Sequence, residues 1–161
     1  MNSSARLLVL AGEHSGDGLG ADLVRRLRQK VDVELSGVGG PDLEAEGLTS
    51  LFPMSDLAVM GWTDILPRLP LLLWRARQVA REILRTKPDI AVSIDAQVVS
   101  AVVAKQVRKG GGRLPIILYV APTVWAWKPD RARELVGLFD EVLGILPFEP
   151  KVMADLGGPP T

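Results

Sequence analysis

A chain of 161 residues, 47% hydrophobic and 24% charged, is sized and composed for one globular domain with a substantial core. Nineteen Lys and Arg balance nineteen Asp and Glu, so a zero net charge argues against a dominant nucleic-acid surface. The absence of cysteine excludes disulfides and thiolate metal sites and fits a cytosolic setting, and no run of about 18 apolar residues exists to span a bilayer.

Leu7 to Leu10 reads as a first strand, stopped at Ala11-Gly12. A polar loop, Glu13-His14-Ser15-Gly16-Asp17, follows, and the helix is expected from Gly18 to Arg28. A strand, a glycine turn and a helix put a helix N-terminus at the carboxyl end of a strand, the edge where open α/β sheets bind ligands. Gly16 to Ala21 formally fits G-x-G-x-x-G/A, but its glycines start well past the strand end, and no G-K-S/T follows. The plainer alternative is a turn in which Ser15 or Asp17 caps the helix. Glu13 and Asp17 could serve as acid or base or grip sugar hydroxyls. His14, the only histidine, could bind an anion or shuttle a proton, but a lone histidine is a poor metal ligand set.

Val31 to Leu35 reads as a second strand, closed by Ser36 to Pro41. Asp42 to Glu46 is a helical turn ended by Gly47, Leu48 to Leu51 a brief strand, and Met54 to Gly61 another helical turn. In Trp62 to Leu73, Pro67 and Pro70 are expected to interrupt any helix, so the next helix runs from Leu71 to Arg85. Arg68, Arg75 and Arg77 could meet anionic headgroups there, with Trp62 and Trp74 at the interface, although an ordinary core helix is the plainer reading.

Asp89 to Ile94 is a buried strand, Val98 to Lys109 a helix, Ile116 to Val120 a strand, Pro129 to Gly137 a helix, Glu141 to Ile145 a strand and Pro147 to Leu156 a helix. Strands alternating with helices define βαβ units and a parallel sheet with helices on both faces. Asp95 follows a buried strand at its carboxyl end, on the edge of the first loop, where it could be a general base or simply cap the next helix. Asp89, at the opposite edge, is read as structural. Trp125 and Trp127 share one loop after a strand and either pack or line a pocket, and Lys128, Arg131 and Arg133 offer charge to a phosphate.

Taken together, Ala11 to Asp17, Gly37 to Pro41, Leu57 to Gly61, Lys87-Pro88-Asp89 with Ile94-Asp95-Ala96, Tyr119 to Trp127 and Leu146 to Glu149 resemble the lipid-A-disaccharide synthase family from end to end. The patterns A-G-E-x-S-G-D and P-[ST]-V-W-A-W carry most of that resemblance. It implies a GT-B glycosyltransferase (family 19) of two Rossmann-like domains, of which residues 1–156 form the N-terminal, acceptor-side one. Residues 157–161 would begin a linker, and the donor-binding domain would be absent, leaving this chain inactive alone.

The reaction implied joins UDP-2,3-diacylglucosamine to 2,3-diacylglucosamine 1-phosphate with inversion and release of UDP, in lipid A and lipopolysaccharide biosynthesis. It needs no metal and no cofactor. By the same resemblance Asp95 is the catalytic base, and Glu13, Ser15, Gly16, Asp17, Trp125, Trp127 and Lys128 bind substrate. Trp62, Ile65, Leu66, Leu69, Leu72 and Leu73 would contact acyl chains and a membrane surface. The protein would be cytoplasmic, held peripherally at the inner membrane, with no nucleic-acid partner. Where the family reads P-D-F-N after Ile94-Asp95-Ala96, this chain reads Gln97-Val98-Val99-Ser100, and Lys128 replaces an arginine. The alternatives are a non-catalytic sugar- or lipid-binding Rossmann-like domain, or another GT-B transferase or UDP-sugar epimerase.

Overall fold

Leu7 to Ala11 are all 2% exposed or less, so the first strand is buried on both faces and must lie inside a covered sheet. The computed structural model describes residues 4–59, 62–123, 126 and 128–161. In chain order the elements are β1 (Ser4–Ala11), α1 (His14–Arg28), β2 (Asp32–Val38), α2 (Pro41–Ala45), a 3-10 turn (Met54–Asp56), α3 (Trp62–Thr86) and β3 (Ile90–Ile94). There follow α4 (Gln97–Lys109), β4 (Ile116–Tyr119), α5 (Arg131–Glu134), β5 (Glu141–Leu143) and α6 (Glu149–Asp155). The five strands pair in parallel in the order β2-β1-β3-β4-β5. The chain steps one way from β1 to β2 and the other way through β3, β4 and β5. Right-handed crossovers therefore place α1 on one face and α3 and α4 on the other. The expected parallel α/β sheet is the one observed.

Several element boundaries differ from the sequence reading. Residues 14–17 are not loop but the first turn of α1, which begins three residues after β1 ends. Glycine there permits close approach rather than a turn. A Cβ on Gly16 would lie 3.1 Å from the Ile94 carbonyl oxygen, and one on Gly20 3.0 Å from Ile94 Cδ1. These two residues, one turn apart, let α1 lie down on β3.

Pro67 and Pro70 do not interrupt α3, which runs unbroken for 25 residues. Both prolines are on the exposed side of its first three turns, so the carbonyls they leave unpaired can turn to water. Further along, Leu72, Ala76, Val79, Ala80 and Ile83 are at most 2% exposed and hold the helix on the core. Each buried leucine or isoleucine contributes about 1.5–3 kcal/mol, enough to outweigh propensity at the exposed end.

Leu48 to Leu51 form no strand; the Leu51 N–H donates to the Gly37 carbonyl, and Ser50 Oγ accepts from the Gly39 N–H, which closes a loop beside β2. The helix expected over 129–137 shrinks to α5, flanked by i→i+3 bonds from Arg131, Ala132, Arg133 and Val136 that wind the segment tighter than an α-helix. Residues 157–161 lie against the sheet edge, where the Val142 N–H donates to the Pro160 carbonyl at 2.8 Å.

Asp89 fastens the amino edge of the sheet. It accepts from the Arg6 N–H at 2.7 Å and from the Arg6 guanidinium at 3.2 Å, and its own N–H donates to the Arg6 carbonyl. The Arg6 N–H first, and then its guanidinium, hold the Asp89 carboxyl below its usual 3.8. Protonation therefore favours the unfolded chain. The contribution of this exposed pair is present above about pH 3.8 and lost as pH falls through the lower folded value. Asp89→Asn is expected to lower the melting temperature slightly at pH 7 and to flatten its decline in the acid limb, as thermal scans from pH 2 to 7 would read.

Candidate active site at the sheet switch point

The strand order reverses at β1, so the crevice between the carboxyl ends of β1 and β3 is the topological switch point of the sheet. Ala11 and Ile94 are register partners, and the residues that follow them, Gly12-Glu13 and Asp95-Ala96, leave the sheet side by side. The approach is close. A Cβ on Gly12 would stand 2.8 Å from Ala96 Cβ, so only glycine fits there without a shift.

Asp95 takes a left-handed backbone conformation (φ 47°), which aspartate tolerates better than most residues. Its N–H donates to the Tyr119 carbonyl, and its Oδ2 lies 3.5 Å from Ser15 Oγ in the first turn of α1. Two buried hydroxyls brace this turn from below. Ser100 Oγ donates to the Ala96 carbonyl at 2.6 Å and is hydrogen-bonded to Ser93 Oγ. Ser100 lies in the stretch that departs from the family pattern, and its hydroxyl serves the backbone rather than the cleft. Sequence reading did not single it out as a site residue.

Glu13, His14 and Ser15 are exposed around the N-terminus of α1, whose first N–H groups have no side-chain cap. Glu13, Asp95 and Gln97 border a cavity of about 260 Å³ whose other lining residues are apolar, among them Leu57, Val59, Ile65 and Val99. The site thus sets carboxylates and a hydroxyl above a hydrocarbon-lined hollow, an arrangement suited to an amphiphile. Among the described residues no group of three or more His, Asp and Glu is placed to hold a metal ion.

Asp17 does something else. It is 1% exposed, and its carboxylate accepts three N–H bonds from the start of α2: Gly40 at 2.8 Å, Asp42 at 2.9 Å and Leu43 at 3.1 Å. It caps a helix, but α2 rather than its own. Gly16 is buried against Ile94 and offers its neighbours packing.

Arg75 turns inward and does not face solvent headgroups. Its guanidinium lies 4.4 Å from the Phe52 ring centroid and 4.2 Å from that of Trp74, and it donates to Asp56 Oδ2 at 2.9 and 2.6 Å. This clamp ties the 3-10 turn to α3 and so fixes the wall that carries Leu57 and Val59. Arg68 is also engaged, donating to the Ala58 carbonyl. Of the proposed acyl-contact residues, Leu66 is 76% exposed, whereas Leu72 is 2% exposed and belongs to the core. Ile65, Leu69 and Leu73 are half-buried, and Lys128 is exposed. Trp125, Trp127 and the Trp62 side chain fall outside the described residues.

A doubly wound parallel sheet with its polar groups gathered at the switch point defines a Rossmann-like α/β domain. Solved structures share that fold. The S. aureus MnaA–UDP co-structure superposes with a TM-score of 0.63 at 15% identity, covering 95% of this chain and 41% of that one. A UDP-N-acetylglucosamine 2-epimerase from Rickettsia bellii gives 0.58 at 11% identity, covering 96% and 42%.

Sequence comparison is more specific. The profile of the lipid-A-disaccharide synthetase family matches residues 7–157, and the chain belongs to that family. It is 48% identical over 157 residues to the lipid-A-disaccharide synthase of Rhodospirillum centenum, covering 96% of this chain and 39% of the relative. It is 45% identical over 161 residues to that of Nitrobacter hamburgensis, covering 99% and 41%. The chain therefore spans about two-fifths of the length of these curated relatives.

Proposed function

We propose that this chain is the acceptor-side part of an inverting glycosyltransferase that joins UDP-2,3-diacylglucosamine to 2,3-diacylglucosamine 1-phosphate. The observation that carries the reading is the Asp95 carboxylate at the switch point, beside Ser15 and above an apolar hollow. In the reaction, Asp95 takes the proton of the acceptor 6-hydroxyl as that oxygen attacks the anomeric carbon. UDP leaves from the opposite face with the bonding electron pair, and one displacement inverts the centre. Glu13 and Ser15 orient sugar hydroxyls, Lys128 and the tryptophan loop border the substrate, and Asp17 acts indirectly by fixing α2 against α1.

The exposed Leu66 and Trp74, the latter 54% exposed, support contact between α3 and a membrane surface. Among the described residues no helix is long and apolar enough to cross a membrane, so that contact would be peripheral.

The donor-binding residues are proposed to come from the part of the relatives' length that this chain does not span. The test supplies both substrates and measures disaccharide and UDP. The protein extended to the length of its relatives is expected to form product, and this chain by itself to form none. Robust product from this chain alone would show that the site is complete here. A non-catalytic lipid-binding domain is the second reading, favoured by Gln97 and Val98, an uncharged pair at the cavity rim beside Asp95. An extended protein that binds acceptor without turnover would support it.

A further inference from the structure

A second and larger cavity, of about 510 Å³, opens between α4 and the segment that follows β4. Its volume falls within the ~300–1,000 Å³ of small-molecule sites. It is lined mainly by hydrocarbon, including Ala101, Val102, Leu118, Leu135 and Phe139. Val98 and Val136, both on its lining, are 41% and 55% exposed, an apolar face without a partner among the described residues.

Two facts identify what fits there. The first is adjacency. Gln97 and Val98 line both cavities, so the two hollows flank the first turn of α4, next to Asp95. From Gln97 to Lys105, both on the lining, α4 advances eight residues, a run of about 12 Å. An extended hydrocarbon chain can enter at the sheet edge and follow the helix downward.

The second is charge. Arg131 and Lys105 are exposed on the lining, and among the described residues neither is engaged in an ion pair. Among the described residues Glu134 is the one acidic side chain there. Arg131 starts the short helix after β4 and lines the same cavity as Pro122, three residues past the end of that strand. Lys105 lies two turns of helix below, where its methylene stem can cover hydrocarbon while its ammonium stays in water.

We propose that this groove is a binding site for one hydrocarbon chain of an anionic amphiphile, with the chain between α4 and α5 and the anionic head at Arg131. This deepens the transferase reading, because it gives a second chain of a two-chain lipid a place separate from the hollow under Asp95. The binding itself needs no turnover.

The probe is monododecyl phosphate, with dodecanol as its uncharged counterpart, titrated below micelle formation into this chain and followed by methyl NMR. Saturable shifts are expected at Val102 and Leu135, with dodecanol binding at least several-fold more weakly. Ala101→Trp, which fills the groove, should weaken that event tenfold or more. Arg131→Ala, a surface change, should weaken the phosphate several-fold and leave dodecanol unchanged. Ile65→Trp, which fills the other hollow, should leave the Val102 and Leu135 shifts intact. Shifts confined to Leu57, Val59 and Ile65, or folded Ala101→Trp and Arg131→Ala proteins that bind like the parent, would overturn the proposal. Failure of the transferase reading would show instead as turnover that survives loss of Asp95, with these titrations unaffected.

Discussion

Asp95→Asn, introduced into the protein extended to the length of its relatives, is expected to lower turnover about a hundred- to ten-thousand-fold while the melting temperature stays within a few degrees. Asparagine tolerates the left-handed backbone that residue 95 adopts (φ 47°), and it keeps the carbonyl oxygen that faces Ser15 Oγ at 3.5 Å. What it loses is the capacity to take a proton. Because the substitution leaves the Ser93–Ser100 brace and the Tyr119 bond in place, KM should change far less than kcat. Steady-state disaccharide formation with both lipid substrates reads this directly. Parent-like turnover would remove Asp95 from the base role.

Asp17→Ala is expected to cost about 3 kcal/mol of stability, since three N–H donors at the buried start of α2 lose a charged acceptor at once. Asp17→Asn should cost less, about 1–2 kcal/mol, because one oxygen remains while an amide group replaces the other. Urea unfolding of this chain measures both. Loss of activity in these variants should follow loss of folded protein and recover on cooling toward the temperature of greatest stability. A stable Asp17→Ala protein that failed only in substrate affinity would return this residue to direct substrate contact.

The two carboxylates of the A-G-E-x-S-G-D pattern thus separate. Glu13 and Asp17 are four residues apart in one helical turn, yet one is exposed at the cavity and the other is 1% exposed beneath α2. Sequence could place Asp95, because a buried strand such as Ile90 to Ile94 is an apolar run with a visible end. It could not show what Asp17 does, because its partners lie 23 to 26 residues away on another element. The role of Arg75 is hidden from sequence for the same reason: the carboxylate that pairs with it, Asp56, is 19 residues earlier.

Glycine taken as punctuation places the start of α1 at Gly18 rather than His14, whereas Gly16 and Gly20 serve close packing against Ile94. Proline was read the same way in α3. Burial of Leu72 through Ile83 decided that helix, and burial against a distant sheet is not written locally. The central strands β3 and β4, apolar on both faces, and the alternating edge strand β2 are legible because each carries its pattern within a few consecutive residues.

The prolines of α3 also set a depth limit. A helix carbonyl normally accepts from the N–H four residues on, so the missing donors of Pro67 and Pro70 leave the Thr63 and Leu66 carbonyls without that partner. Water or lipid headgroups can satisfy them, but hydrocarbon cannot. Under the membrane contact proposed above, the turns that display Leu66 would therefore keep the helix at the headgroup boundary.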